Sequence, residues 1–222
     1  MARQTGIALT VAWLALRLLS MVLPSGPLAA ALATTPEAVV ERLHAGLQAI
    51  DRRFAADDRD GRRAATAELL AQTHDLEQMA RLALGRPWRE LDEAQRQRYL
   101  AAFAELSVSG YADNFVDIQG DRFETLESQP VSRGRVVVRT RLIPASGDPV
   151  AIDYTLKPDG DSWRIMHVRV DGVSDLALKR SQYSALLARD GFDALIEYIY
   201  AQAGVAESAP PPALAGPGGP PA

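Results

Sequence analysis

The chain of 222 residues contains no cysteine. That excludes a disulfide framework, a thiolate nucleophile and a thiolate zinc site. Aromatic residues make up only 6%, and there are three histidines. Positive charge is not in excess: 24 Lys and Arg stand against 28 Asp and Glu, a net charge of −4. A nucleic-acid binder, whose affinity rests on neutralising phosphates, is therefore not expected. No apolar run beyond the N-terminal segment is long enough to cross a bilayer, so the chain is not polytopic. No glycine-rich loop followed by Lys-Ser/Thr is present to cradle a phosphate.

The reactive inventory is equally thin. His44, His74 and His167 are isolated, and no two share a helix face. They read as surface or satisfied, partly buried side chains rather than metal ligands or bases. Gly172-Val173-Ser174-Asp175-Leu176 starts like a nucleophile elbow, but Leu176 occupies the place of its second glycine. Ser174 thus reads as a turn or helix-cap residue. The acid pairs Asp57-Asp58 and Asp92-Glu93 fall at loop and helix starts, where a carboxylate matches the helix dipole. No catalytic residue, metal site or cofactor is expected.

At the N-terminus, Arg3 precedes the Leu-, Val- and Ala-rich stretch 7–23, and Pro24–Pro27 break it before Ala31-Leu32-Ala33. This pattern predicts an export signal over residues 1–33, cleaved after Ala33. Arg17 interrupts the apolar stretch at a cost of about 2.5–3.5 kcal/mol at a helix centre, and a retained single anchor stays open as the alternative. Losing Arg3 and Arg17 with that segment takes the net charge from −4 to −6. Residues 207–222 hold six prolines and three glycines in sixteen positions, a composition that predicts a disordered tail. Residues 34–206 remain as one domain.

Within that domain the hydrophobic period is first helical. Val39, Leu43, Leu47, Ile50 and Phe54 share a face in Pro36–Phe54, with Thr35 as N-cap. Helices follow over Arg62–Gln72 and Asp75–Leu84, the latter ended by Gly85. A long fourth helix opens on an Asp92/Gln95 capping box and carries Tyr99, Phe103, Leu106, Tyr111 and Phe115. The period then becomes two, predicting strands over Phe123–Glu127, Arg135–Ile143, Val150–Lys157 and Trp163–Val170. Short turns at Ala145–Asp148 and Pro158–Asp161 make antiparallel neighbours. A helix pair near Arg180–Leu187 and Phe192–Ala203 closes the chain. The fold class is α+β: N-terminal helices and a C-terminal helix pair on one face of a curved four-stranded antiparallel sheet, with an apolar cavity between the layers. On the strand face away from the helices, Arg139 and Arg141 read as protection against edge pairing, or as contacts for an anionic headgroup or acidic partner.

Met79-Ala80-Arg81-Leu82-Ala83-Leu84-Gly85-Arg86-Pro87-Trp88-Arg89 resembles the MAR-x-x-LG-x-x-WR signature of the MlaC (toluene-tolerance) family. Val138-Arg139-Thr140 and Ile152-Asp153-Tyr154-Thr155-Leu156 resemble its strands. Trp163–Val168, Val170–Ser174 and Arg180-Ser181-Gln182-Tyr183 resemble its later elements, with His167 standing where many members carry Asp. Leu106–Val108, Val173–Leu178 and Asp190–Leu195 look most like the hopanoid-associated HpnM branch. The resemblance covers roughly residues 35–203. It implies a periplasmic lipid carrier for a phospholipid or hopanoid, working with inner- and outer-membrane lipid transport complexes; apart from the resemblance, an acidic domain carrying one lipid is expected to work as a monomer. On that reading the cavity is lined by Met79, Leu82, Ala83, Trp88, Tyr99, Phe103, Leu106 and Tyr111 from the helices. Val138, Ile152, Tyr154, Val168 and Val170 line it from the sheet, and Arg139, Arg81 or Arg180 meets the headgroup. Two alternatives stand beside it. One is a cone-fold enzyme like ketosteroid isomerase, for which Asp153 or Glu124 would have to face the cavity. The other is an envelope protein that binds other proteins without lipid.

Overall fold

In the computed structural model, residues 34–207 are described; the expected signal over 1–33 and all of the expected tail beyond Glu207 lie outside them. Local signals set the helix starts. Thr35 caps α1 (Pro36–Arg53) by accepting from the Ala38 amide at 3.2 Å. Asp58 caps α2 (Arg59–Thr73), so this helix begins three residues earlier than its apolar period indicates. Asp75 caps α3 (Leu76–Leu84), which ends at Gly85 with φ 71°. A 3₁₀ turn, Arg86–Arg89, leads to α4 (Glu93–Asn114), whose Asp92/Gln95 capping box is formed in both directions. These caps satisfy amides that helix geometry leaves without intrahelical partners.

The sheet is a meander, β1 (Arg122–Val131), β2 (Arg135–Ile143), β3 (Val150–Asp159), β4 (Ser162–Val170) and β5 (Val173–Ser174), every neighbour antiparallel. The sequence indicates four strands; β5 is a two-residue fifth, too short to carry a period of its own. Beside it, the α2–α3 junction bridges β4 through His74 and Ile165, with the Asp75 amide donating to the Ile165 carbonyl at 2.8 Å. Together these cover the edge of β4 that would otherwise present open backbone groups. The expected closing helix pair is present within α5 (Asp175–Ala203), whose two helical halves meet at a break with non-helical φ/ψ at Gly191 (φ 86°, ψ −176°). It starts at Asp175 rather than near Arg180 because Ser174 caps it, accepting from the Ala177 amide at 3.1 Å.

Register decides the faces. Val138, Tyr154 and Val168 form one row across the strands, and Thr140, Ile152 and Val170 form the next on the same face. The opposite face carries Arg139–Asp153–Arg169 and Val137–Thr155–His167. α1 and α2 cover the first face, making a cluster of Val39, Leu43, Leu47 and Leu70 against Val138, Tyr154, Leu156 and Ile165. A second cluster is mainly helical, with Ala83, Leu84, Tyr99, Phe103, Tyr183 and Ile196 from α3, α4 and α5. α4 serves both, with Tyr99 and Phe103 in the second cluster and Val108 and Tyr111 in the first.

Candidate functional site

A groove of about 580 Å³ opens where α3, the start of α5 and the sheet face away from α1 meet. Leu82, Met166, Leu176 and Ala177 give it an apolar floor, and Arg135, Thr155, His167, Arg180, Ser181 and Ser184 stand around it with Ser174. Two local irregularities build it. A bulge inserts Met166 between Ile165, opposite Leu156, and His167, opposite Thr155. Adjacent side chains of a regular strand point to opposite faces, so Met166 and His167 share the groove only because of that bulge. On α5, Ala177, Ser181 and Ser184 recur at helical spacing, so small side chains face the opening.

Arg180 ties the groove walls together. Its Nε and Nη2 both donate to the Leu82 carbonyl, at 2.9 and 2.6 Å. A Cβ on Gly85 would lie 3.2 Å from Arg180 Nε, and the positive φ there suits glycine as well. His167 Nε2 lies 2.7 Å from the Ser174 hydroxyl. Burial, followed by the neighbouring Arg169 guanidinium, holds this imidazole below the usual histidine range, partly opposed by Asp175. It is therefore neutral at pH 7, and the groove's charge comes from Arg135 and Arg180. Among the described residues no carboxylate lines it.

A smaller groove of about 380 Å³ lies around the 3₁₀ turn, with Arg81, Trp88, Arg89, Arg96 and Leu100 among its walls. The Arg81 and Arg96 guanidinium carbons stand 5.4 and 5.8 Å from the Trp88 ring centre, within cation–π range. Glu77 pairs with Arg81 at 3.4 Å and Glu93 with Arg96 at 3.7 Å, so two of the three arginines here are matched internally, and Arg89 makes no ion pair among the described residues.

The thirteen side chains named from the sequence do not line one hollow. Met79, Leu82, Ala83, Trp88, Tyr99, Phe103 and Leu106 belong to the helical cluster. Tyr111, Val138, Ile152, Tyr154 and Val168 belong to the sheet cluster, on the face opposite the larger groove. Val170 shares a row with Ile152 but stays 44% exposed, in neither cluster. Leu82 alone of the set lines the larger groove, and Trp88 the smaller. Of the three arginines, Arg180 lines the larger groove and Arg81 the smaller, while Arg139 pairs with Glu127 on the open sheet face. Asp153 pairs with Arg169 at 2.7 Å on the face away from Tyr154, and Glu124 is exposed on β1. Sequence reasoning missed Arg135, Met166, Ser181 and Ser184. Only the 177–181–184 spacing of small residues on α5 was there to be found.

The polar groups between the sheet and its helices are structural. Thr73 Oγ donates to the Leu69 carbonyl at 2.7 Å and so accepts from His74 Nδ1 at 2.9 Å. That fixes the tautomer and leaves His74 Nε2 to accept from the Tyr111 hydroxyl at 3.0 Å. His44 Nε2 lies 3.1 Å from the Tyr154 hydroxyl, and the ring stacks on Phe123 at 4.0 Å. Burial pushes His44 down to about 4 and His74 to about 3, with Arg164 adding to the latter.

A family model described as MlaC protein matches residues 38–201. Among solved structures, the phospholipid-binding protein from Ralstonia solanacearum in complex with a phospholipid superposes with a TM-score of 0.66. It is 20% identical, and the match covers 77% of this chain and 98% of that one, a likeness of fold.

Proposed function

We propose, from the premise that this chain belongs to the MlaC family, that it is a periplasmic lipid-binding protein. It carries a phospholipid or hopanoid between the inner and outer membranes without chemical change, handing it to transport complexes at each side. The neighbour from Ralstonia solanacearum, bound to a phospholipid, supports a lipid as the ligand of this fold. The signal over residues 1–33 accounts for export, and residues 34–206 form the lipid-binding domain.

The observation that carries this reading is the larger groove, whose apolar floor meets a polar, cationic rim. Its volume falls within the roughly 300–1,000 Å³ usual for ligand sites. Each methylene kept from water is worth about 0.8 kcal/mol, so a lipid of about thirty carbons faces on the order of 20 kcal/mol in crossing an aqueous gap bare. Apolar shelter alone offsets a penalty of that size; hydrogen bonds at about 1 kcal/mol each do not. Leu176 both lines the groove and belongs to the helical cluster, so the floor runs on into apolar interior. Acyl chains enter along this seam between α3 and α5, and the backbone break at Gly191 lets the first half of α5 yield.

The test is native mass spectrometry of the purified protein, followed by lipid extraction. Co-purified lipid at about one per chain is the expected result. Protein that carries no lipid and takes none from vesicles rules the reading out.

A further inference from the structure

The charge around the larger groove is one-sided. Arg135 makes no ion pair among the described residues, and neither does Arg180. In the smaller groove two of the three lining arginines, Arg81 and Arg96, are matched by Glu77 and Glu93. Arg180 is also oriented: two of its nitrogens hold the Leu82 carbonyl in the last turn of α3, which fixes the guanidinium plane and leaves its charge unneutralised. Arg135 opens β2 on the same sheet face as Thr155 and His167. Two cations from different elements thus border one opening whose other polar groups are hydroxyls of Thr155, Ser174, Ser181 and Ser184 and one imidazole.

We propose that the groove selects a lipid whose headgroup carries net negative charge on a phosphate, held between Arg135 and Arg180 with the α5 hydroxyls around it. This rests on the lipid-binding reading and narrows it. An acidic phospholipid completes the electrostatics, because guanidinium groups bind phosphate oxygens through directed, charge-assisted hydrogen bonds. A zwitterionic headgroup returns a cation to a site that already holds two. A neutral triterpenoid alcohol offers hydroxyls alone and leaves both charges unmatched, so the hopanoid branch of the reading is disfavoured on electrostatic grounds.

The experiment uses the full chain, stripped of lipid and incubated with vesicles of phosphatidylcholine containing equal minor fractions of phosphatidylglycerol and a triterpenoid alcohol. Lipid recovered on the protein is quantified by mass spectrometry. Phosphatidylglycerol should be enriched about tenfold over its vesicle fraction, the worth of one charge-assisted hydrogen bond. Arg135→Gln and Arg135→Gln/Arg180→Gln should each lower that enrichment, the double variant to near parity. Arg135→Gln keeps the test valid should loss of the Arg180 tie to α3 unfold the double variant. Enrichment of the neutral or zwitterionic lipid, or an enrichment unchanged in Arg135→Gln, overturns the proposal and leaves lipid binding standing. Loading of no lipid by any chain overturns both. Inorganic phosphate is the last arm: if it raises the melting temperature of the wild type but not of Arg135→Gln, and lipid charge has no effect, the site serves free phosphate and the headgroup assignment fails.

Discussion

The two hydrophobic clusters draw on similar aliphatic side chains and differ in the polar groups they enclose. The sheet cluster holds His44, His74, Thr140 and the Asp51–Arg62 pair, each hydrogen-bonded. Asp51, on α1, receives Arg62 from α2 at 3.4 Å and the Asp117 and Ile118 amides at 2.8 and 3.1 Å. Arg62 reaches the Phe115 carbonyl at 2.6 Å, tying the end of α4 to the same knot. The helical cluster holds tyrosines instead. Tyr99 donates to the Ala80 carbonyl at 3.0 Å, whereas the buried Tyr183 hydroxyl finds no partner among the described residues. A buried, charged knot therefore fixes how helices sit on the sheet. By contrast, α3, α4 and α5 are held by shape packing together with single ties such as Tyr99 to Ala80, Ser109 to Ala203 and Arg180 to Leu82. The proposed lipid seam runs between α3 and α5, where parting the helices breaks the two bonds from Arg180 to the Leu82 carbonyl.

That contrast can be broken at its strongest point first. Arg62→Ala leaves Asp51 buried at 6% exposure with its charge uncompensated, and should cost about 3–5 kcal/mol in urea denaturation. A loss under about 1 kcal/mol would mean that the knot is not what holds α1, α2 and the 115–118 loop together.

Acid should act on the sheet cluster next. His44 and His74 have folded-state values of about 4 and about 3, below the unfolded value near 6.5. The unfolded chain therefore binds more protons as pH falls. The stability these histidines hold is whole above pH 6.5 and drains away as pH drops through about 4 and about 3. Each contributes a slope of up to about 1.4 kcal/mol per pH unit. His74→Gln should flatten the dependence between pH 6 and 4 by about that amount; identical slopes in variant and wild type would place the acid sensitivity elsewhere.

The helical cluster provides the finest contrast. Tyr99→Phe loses its bond to Ala80 and should cost about 1 kcal/mol. Tyr183→Phe removes a hydroxyl without a partner and should leave the melting temperature unchanged or raise it slightly. Equal losses in the two variants would show that ring packing, not the hydroxyls, separates these tyrosines.

Much of the architecture was legible because it is written locally. The Asp92/Gln95 capping box, the Thr35 cap, Gly85 at the end of α3 and the alternation of Val136 to Leu142 each act within a few residues. β5 escaped notice because Val173 and Ser174 become a strand only through their partners Val170 and Arg169. The site was less legible. Strand alternation correctly separates Tyr154 from Asp153, yet it cannot reveal the bulge that turns Met166 toward the groove. Apolar side chains chosen for a cavity, such as Tyr154 and Phe103, are indistinguishable in sequence from those that fill a core, and both are almost fully buried here.

By itself the sequence determined the order of elements, their caps, the meander and the family signature, since each depends on neighbours along the chain. Tertiary structure decided which sheet face opens onto α3 and α5, which arginines are left without carboxylates, and which histidines lose contact with water. Those outcomes depend on residues about a hundred positions apart, as Arg180 and Leu82 are, meeting across a packed interface that no local period encodes.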